Sequence, residues 1–263
     1  MNAAATTSRF LAGAAELLAR LEATQDAALA EAAELCANAI GQGGLAHAFG
    51  TGHSRIAVEE LFPRYGSYPG FNPMVELSMT FHTQVVGSNG QRQAMFIERT
   101  SGLADAILAN YELRPTDVMI VFSASGLSAV PIEMALGAKE RGLAVVAVTS
   151  VAQSYAGEPT HAAGRLLDVA DVVLDLGTPA ADALVEIEGL ETPVAPGSTL
   201  AAVALVNELK ARTAQRLVEL GAMPPVITSA AVVGREESTR LFDAAYADHA
   251  RRYARTLRGV EAD

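Results

Sequence analysis

The chain has 263 residues, half of them apolar and 19% charged, and carries a formal net charge of −11 at pH 7. That length and apolar content suffice for one large α/β domain with a sizeable core, with or without a helical extension, and exclude a mainly disordered chain. The acidic balance, with a sequence pI near 4.9, argues against a nucleic-acid surface, which needs clustered Lys and Arg, but leaves room for an anionic ligand held by backbone amides at a helix start.

Residues 1–8 lack a basic segment ahead of an apolar one and are not read as a secretory signal. From Ser8 to Ile40 the apolar residues Phe10, Leu11, Leu17, Leu18, Leu21, Leu29, Leu35 and Ile40 recur at helical spacing, and Gly41, Gly43 and Gly44 end the run. A long N-terminal helix is expected there, its stripe buried on the domain or on a partner chain. Its Cys36 is the one cysteine of the sequence, so no disulfide framework or thiolate metal site forms within one chain, and a reduced, cytoplasmic setting is expected. Next come a strand at Leu45 to Phe49, a helix at Ser54 to Arg64 and a weak strand at Pro73 to Leu77. Residues 78–100 carry the least pattern and are expected to form a long loop with a short helix, of the kind that often covers a site. Beyond them the pattern gives a helix at Gly102 to Tyr111, a strand at Val118 to Phe122, a helix at Ser128 to Arg141, and strands at Leu143 to Thr149 and Val172 to Leu176. A strong helix at Thr199 to Leu220 is closed by Gly221 and the Pro224-Pro225 stop. The tail from Glu236 to Arg258 reads as a charged helix with Leu241, Phe242, Ala245, Tyr246, His249 and Tyr253 on one side, packed on the domain or a partner subunit.

Strands that are apolar throughout, separated by helices, imply a parallel sheet covered on both faces. The expected organisation is an N-terminal helix over residues 1–40, an α/β domain over 41–232 and a C-terminal helical extension over 233–263. No apolar run approaches the length that spans a bilayer, so no membrane partner is expected.

In an open parallel sheet, ligands bind outside the carboxyl ends of the strands. Two polar loops stand there: Gly50-Thr51-Gly52-His53-Ser54-Arg55 and Ser123-Ala124-Ser125-Gly126-Leu127-Ser128. Neither is a dinucleotide fingerprint, because Arg55 occupies the third small position, and neither has the Gly-Lys-Ser/Thr of a phosphate-binding P-loop. Nor is the second a hydrolase elbow, since Ser123 stands where that motif needs glycine before Ser125. What remains is an anion cradle in which Gly126 allows close backbone approach, the helix start offers amides, and Ser123, Ser125 and Ser128 offer hydroxyls. The competing reading is a plain turn and N-cap.

These two loops, with the Thr149-Ser150 strand end and Pro196-Gly197-Ser198-Thr199 opening a helix, occur in the order that resembles the sugar isomerase (SIS) domain, over about residues 8 to 230. Beyond the generic domain the chain looks most similar to a group of uncharacterised bacterial SIS proteins and phosphoheptose-like phosphosugar isomerases, in which Asp182 to Leu190 also has a counterpart. The resemblance implies a three-layer α/β sandwich with a five-stranded parallel sheet, flavodoxin-like, in a cofactor-free homodimer or homotetramer that binds a sugar phosphate. By motif, Ser123, Ser125 and Ser128 hold the phosphate, Thr51 and Ser54 contact phosphate or sugar hydroxyls, and Gly50, Gly52, Gly126, Thr149 and Ser198 complete the binding set. SIS isomerases of the glucosamine-synthase type often carry Gln and Thr where this chain has Ala124 and Ser128. The hydroxyl is kept at Ser128; the amide is lost at Ala124.

Aldose–ketose isomerisation moves a proton between adjacent carbons through an enediol, so it needs a base beside the sugar and a donor to the carbonyl oxygen. Glu59 and Glu60 follow the first loop, and with about 3.6 residues per helical turn at most one of them points to it. In phosphoheptose isomerases and muramic acid phosphate etherases a Glu on the corresponding helix is catalytic, at longer spacing, which favours Glu60 of the two. Glu188, with Glu186 beside it, precedes the helix near Ser198, where SIS isomerases of the glucosamine-synthase type carry their base. The choice between Glu60 and Glu188 stays open. His47, His53, His82, His161 and His249 show no metal-ligand spacing, so no metal is expected, and only His53 lies in a site loop. The expected activity is that of a phosphosugar isomerase. The alternatives are an amino-sugar phosphate etherase, lyase or deaminase, and a non-catalytic phosphosugar sensor.

Overall fold

The structure, a computed structural model, describes residues 9–80 and 91–257. His82, Arg258 and residues 1–8 of the expectations above lie outside the described residues. In chain order the described elements are α1 (Arg9–Thr24), α2 (Asp26–Gly41), β1 (Ala46–Gly50), α3 (Arg55–Glu59), β2 (Phe71–Met74), α4 (Leu77–Thr80), α5 (Gln91–Ile97), α6 (Leu103–Leu108), β3 (Val118–Phe122), α7 (Ala129–Glu140), β4 (Ala144–Thr149), α8 (Val151–Ala156), α9 (Leu166–Val169), β5 (Val172–Asp175), β6 (Ala183–Val185), β7 (Val194–Pro196), α10 (Ser198–Glu219), α11 (Ala230–Val233) and α12 (Arg235–Ala254).

Five strands form one sheet in the order β2-β1-β3-β4-β5, every neighbouring pair parallel. The strands read as continuous apolar runs because each face has its own core. Val118, Ile120 and Phe122 pack with Val146 and Val148 under α1, α2, α3 and α10. The intervening Met119 and Val121 pack with Val145 and Ala147 under α6 and α7 on the other face. This two-residue alternation is the pleat of the strand, and it yields the three-layer α/β sandwich expected from the sequence.

The N-terminal run is helical as expected but broken once, at Gln25. Gln25 is buried, and its Oε1 accepts the Asp175 N–H at 2.8 Å, tying the break to β5. An unbroken helix over residues 8–40 would be on the order of 50 Å long and would overshoot the domain. The break lets α2 lie along α10 while α1 runs to the two-stranded hairpin β6–β7, with the Arg20 guanidinium on Gly177 O at 2.7 Å.

Three further elements differ from the sequence reading. The helix after β1 is short and ends in tight turns through Phe62, because Pro63 removes an amide and restricts the residue before it. β2 begins at Phe71, ahead of Pro73, which is tolerated because β2 is an edge strand. Within 78–100, the described residues form two short helices rather than one. The tail helix α12 and the residue after it dock at the amino ends of the strands: Arg252 donates to Ile40 O at 2.7 Å and Gly44 O at 3.0 Å, and Arg255 to Gly43 O at 3.1 Å, meeting carbonyls at and just past the end of α2. Among the described residues no helix is long and apolar enough to cross a membrane.

Candidate functional site

After β1 the chain crosses to β2 on one side and then returns to β3 on the other, so strand order reverses between β1 and β3. A crevice outside the carboxyl ends of the strands is expected at that point. It is present as a cleft of about 430 Å³, walled by Thr51–Ser54, by Ser123–Ser125, by α5 and by the start of α10.

The loop after β3 is built so that its donors stay open. Ala124 O accepts from the Ser150 N–H (2.8 Å) and Thr149 Oγ1 (3.3 Å), Ser125 O from Ser154 Oγ (2.6 Å), Gly126 O from the Leu166 N–H (2.9 Å) and Leu127 O from the Thr160 N–H (2.9 Å). All these peptides are trans, so the next amide points opposite to each tied carbonyl. Of the four N–H groups turned away in this manner, that of Gly126 meets Ser123 Oγ at 3.2 Å. Those of Ser125, Leu127 and Ser128 find no acceptor among the described residues. Amides without an acceptor in the chain, beside serine hydroxyls, are the donors that an anion-binding concavity uses, and Ser125 among them is on the cleft wall.

Gly126 has a φ of +64°, and a Cβ there would sit 2.9 Å from Thr149 Oγ1 and 3.1 Å from Ser154 Oγ. Packing beneath the loop therefore demands this glycine, where the sequence reading assigned it to ligand approach. Thr149 belongs to the same support: its hydroxyl is buried on Ala124 O and is not on the cleft wall. Gly50 plays a comparable part in the first loop, where a Cβ would lie 3.0 Å from Ser54 O and 3.1 Å from Val58 Cγ2, so the turn closes tightly on the strand end. Gly52, at φ +54°, opens the 3-10 turn Gly52–Ser54 that carries His53 and Ser54 on the cleft wall.

A residue that the sequence reading missed joins the two loops. Glu98, just past α5, accepts from Thr51 Oγ1 at 2.6 Å and from Ser128 Oγ at 2.9 Å, and both hydroxyls are buried. Its backbone is pinned as well, since Glu98 O accepts the Val130 N–H of the first turn of α7 at 2.9 Å. Ser128 is the N-cap residue of α7, but its hydroxyl serves Glu98 instead of capping. No motif marks Glu98; the one signal was its place in the stretch expected to cover a site.

The opposite wall carries a second carboxylate. Asp182, at the start of the β6–β7 hairpin, accepts from the Ser198 N–H at 2.8 Å, the Gly197 N–H at 3.3 Å and the Ser198 hydroxyl, and so caps α10. It does this from a left-handed backbone conformation, φ +54°, which is uncommon for a residue other than glycine and tends to persist at functional sites. Ser198 is on the cleft wall, but its hydroxyl is engaged by Asp182. Among the described lining residues there is no Lys or Arg while Glu98 and Asp182 are present, so the cleft is acidic.

The carboxylates favoured from sequence are placed elsewhere in this chain. Glu59 pairs with Arg55 at 2.9 Å, and Glu60, just past α3 and partly buried beside Lys210, pairs with Arg64 at 3.1 Å. Glu188 lies in the exposed turn between β6 and β7. None of the three lines the cleft: Glu59 and Glu60 are engaged by Arg55 and Arg64, and the hairpin presents Asp182 rather than its tip. The cleft gathers Thr51, Gly52, His53, Ser54, Ser123, Ser125 and Ser198 from the expected set, with Ser128 reached through Glu98. No cluster of three or more potential metal ligands occurs among the described residues.

Residues 9–150 match the SIS domain family. A UPF0309 protein of Brucella abortus is 38% identical over 239 residues, covering 89% of this chain and 94% of the relative. A UPF0309 protein of Geobacillus kaustophilus is 35% identical over 213 residues, covering 81% and 82%. Among solved structures, a phosphoheptose isomerase from Neisseria gonorrhoeae aligns with a TM-score of 0.50 at 19% identity, over 77% of this chain and 94% of that one, a likeness of fold.

Proposed function

We propose that this chain, which belongs to the SIS domain family, binds a sugar phosphate in the cleft between β1 and β3 and interconverts its aldose and ketose forms. One observation carries the reading: the carbonyls of Ala124 to Leu127 are all tied beneath the loop, leaving the amides of Ser125, Leu127 and Ser128 and the Ser125 hydroxyl to receive phosphate oxygens. Backbone amides with serine hydroxyls bind a dianion without any basic side chain.

In this reading Ser123, Ser125 and Ser128 hold the phosphate, with Gly126 fixing the loop and Thr51 adding its hydroxyl from the facing loop, and Ser54 meets phosphate or sugar hydroxyls. Glu98 is the base. It is the cleft carboxylate whose backbone is fixed and which is not consumed by capping a helix, whereas Asp182 is. Glu98 takes the proton from the carbon beside the carbonyl and returns it to the former carbonyl carbon of the enediol, while His53 donates a proton to the carbonyl oxygen and takes one back from the other enediol hydroxyl as the new carbonyl forms. In the homodimer or homotetramer that the family resemblance implies, Glu188 acts only if its hairpin reaches the cleft of another copy.

Thermal-shift screening against hexose, pentose, heptose and N-acetylamino-sugar phosphates, followed by NMR of each stabilising compound in deuterated water, tests the proposal. The expected result is stabilisation by one phosphorylated sugar but not by its unphosphorylated form, with deuterium entering at the carbon beside the carbonyl. Loss of a substituent or of ammonia would replace isomerisation by the elimination chemistries, and binding without turnover would make the protein a sensor. Failure of every sugar phosphate to bind would overturn the reading.

A further inference from the structure

We infer that Glu98 is a latch across the cleft which the ligand's phosphate must displace, so that the anion's arrival is what frees the carboxylate to face the sugar. The inference rests on the phosphosugar reading above.

A serine or threonine hydroxyl carries one hydrogen and donates one bond at a time. The Thr51 hydroxyl gives its hydrogen to Glu98 Oε2 and the Ser128 hydroxyl gives its to Glu98 Oε1. Neither donor then serves a phosphate oxygen while Glu98 holds it. The two hydroxyls come from the two loops that flank the crevice, and the carboxylate spans them as an oxyanion ligand would. Both bonds are part-buried at the cleft wall, so water only partly replaces a lost partner.

Charge adds to this competition. Glu98 and Asp182 both line the cleft, and no Lys or Arg does among the described residues. A dianion placed beside an unmoved Glu98 would face like charge in a partly dry site, where such repulsion is poorly screened. Asp182 is held by two amides and a hydroxyl at the start of α10, so it is the less movable of the two. Glu98 has the opposite construction: the backbone is fixed by Val130 and the segment after it by the Gly102 N–H on Glu133 Oε2 at 2.8 Å, while the side chain is held only by the two hydroxyls a phosphate would claim. Rotation about its own side-chain bonds suffices to release it, with no loop movement.

The test is calorimetric titration of inorganic phosphate into the wild-type protein, Glu98→Gln and Asp182→Asn at neutral pH, with the Tm of each variant confirming the fold. A latch predicts about tenfold tighter phosphate binding by Glu98→Gln, the size expected when a charge-assisted competitor is removed, and less than about threefold change in Asp182→Asn, which removes a charge without releasing Thr51 or Ser128. Equal affinity of wild type and Glu98→Gln, or an equal gain in both variants, would overturn the latch and leave the cradle standing. Phosphate binding to none of the three would remove the cradle and the latch together. Should Glu98→Gln fail to fold, Ser128→Ala and Ser125→Ala give the same decision. Ser128 serves latch and anion alike, so its loss should change phosphate affinity by less than about threefold, whereas Ser125 serves the anion alone and its loss should weaken binding about tenfold. Equal losses in these two variants would count against the latch.

Discussion

The two ends of the sheet carry similar amounts of polar chemistry and treat it in opposite ways. At the amino ends of the strands, Asp117 is buried yet satisfied: Oδ1 accepts the Leu45 N–H at 2.9 Å, and Oδ2 accepts the Arg114 N–H at 3.0 Å and His47 Nε2 at 3.3 Å. His47, wholly buried in the central strand β1, meets Asn72 through Nδ1 at 3.0 Å, a pairing that leaves Nε2–H as the donor to Asp117. Arginines of α12 close the carbonyls of α2 beside it. At the carboxyl ends, acceptors are tied and donors are left open, and a carboxylate of the chain's own occupies two hydroxyls. A polar network that balances donors against acceptors is structural; one that leaves a single kind unmatched is shaped for something the chain does not contain.

The largest expected effect separates the two ends by function. Glu98→Gln should lower kcat about 10²- to 10⁴-fold, the usual worth of a positioned general base, while phosphosugar binding is kept or tightened. Steady-state kinetics with the sugar phosphate found by screening checks it, and wild-type turnover in this variant would remove the base assignment.

Asp117→Asn comes second and should act on stability alone. It sets an amide among donors in a buried site, at a cost of about 3 kcal/mol measured by urea denaturation at neutral pH, with kcat of the folded fraction unchanged. The pH dependence has a definite sign. Burial by itself would raise the Asp117 carboxyl, but hydrogen bonds from His47, the Leu45 amide and the Arg114 amide hold it below its ordinary value. A carboxyl depressed in the folded state contributes stability above its unfolded pKa and loses it as pH falls through the folded one. The wild type should therefore lose stability steeply below about pH 4, and Asp117→Asn less steeply.

The same contrast explains how far the sequence could be read. Strands β1, β3, β4 and β5 were legible because two-sided burial leaves an uninterrupted apolar run, as in Val118 to Phe122, and the loops that follow them were legible because hydroxyl-rich turns after such runs have few other uses. The break at Gln25 was not, because glutamine is an acceptable helix residue and only the Asp175 amide, 150 residues away, makes the break favourable. Glu98 was hidden for a similar reason: its partners lie 47 and 30 residues away, and nothing local distinguishes it from the solvated carboxylates of α3. The hairpin β6–β7 was too short to show a period, since each strand has three residues.

A smaller effect probes the cradle itself. Ser125→Ala removes a hydroxyl with no partner within the described chain, so folding should be little changed, while phosphosugar binding should weaken about tenfold, the worth of one hydrogen bond to a charged group. Calorimetry against the same ligand measures it, and an unchanged Kd would place the phosphate off this loop. Cys36 supplies a convenient control for folding in each variant: burial pushes its thiol up to about 12, so a thiol reagent at neutral pH should label it only as the protein unfolds.

The smallest expected effect sharpens the comparison most, because it concerns carboxylates that sequence alone would have chosen. Glu60→Gln leaves the cleft wall untouched and loses one half-exposed pair with Arg64, while the Lys210 ammonium still donates to the Glu60 backbone carbonyl at 3.3 Å and holds the end of α3. Glu188→Gln alters an exposed turn. Each should leave kcat/KM within about twofold of wild type; Glu188→Gln should also leave stability within about 0.5 kcal/mol, whereas Glu60→Gln should lower it by about 1 kcal/mol, because the Glu60 charge offsets that of the buried Lys210 ammonium. A large loss of kcat in Glu188→Gln at unchanged stability would mean that the hairpin tip enters the cleft of a second copy. A large loss in Glu60→Gln would mean that α3 turns inward when the ligand binds, and in either case the base would no longer be Glu98 alone.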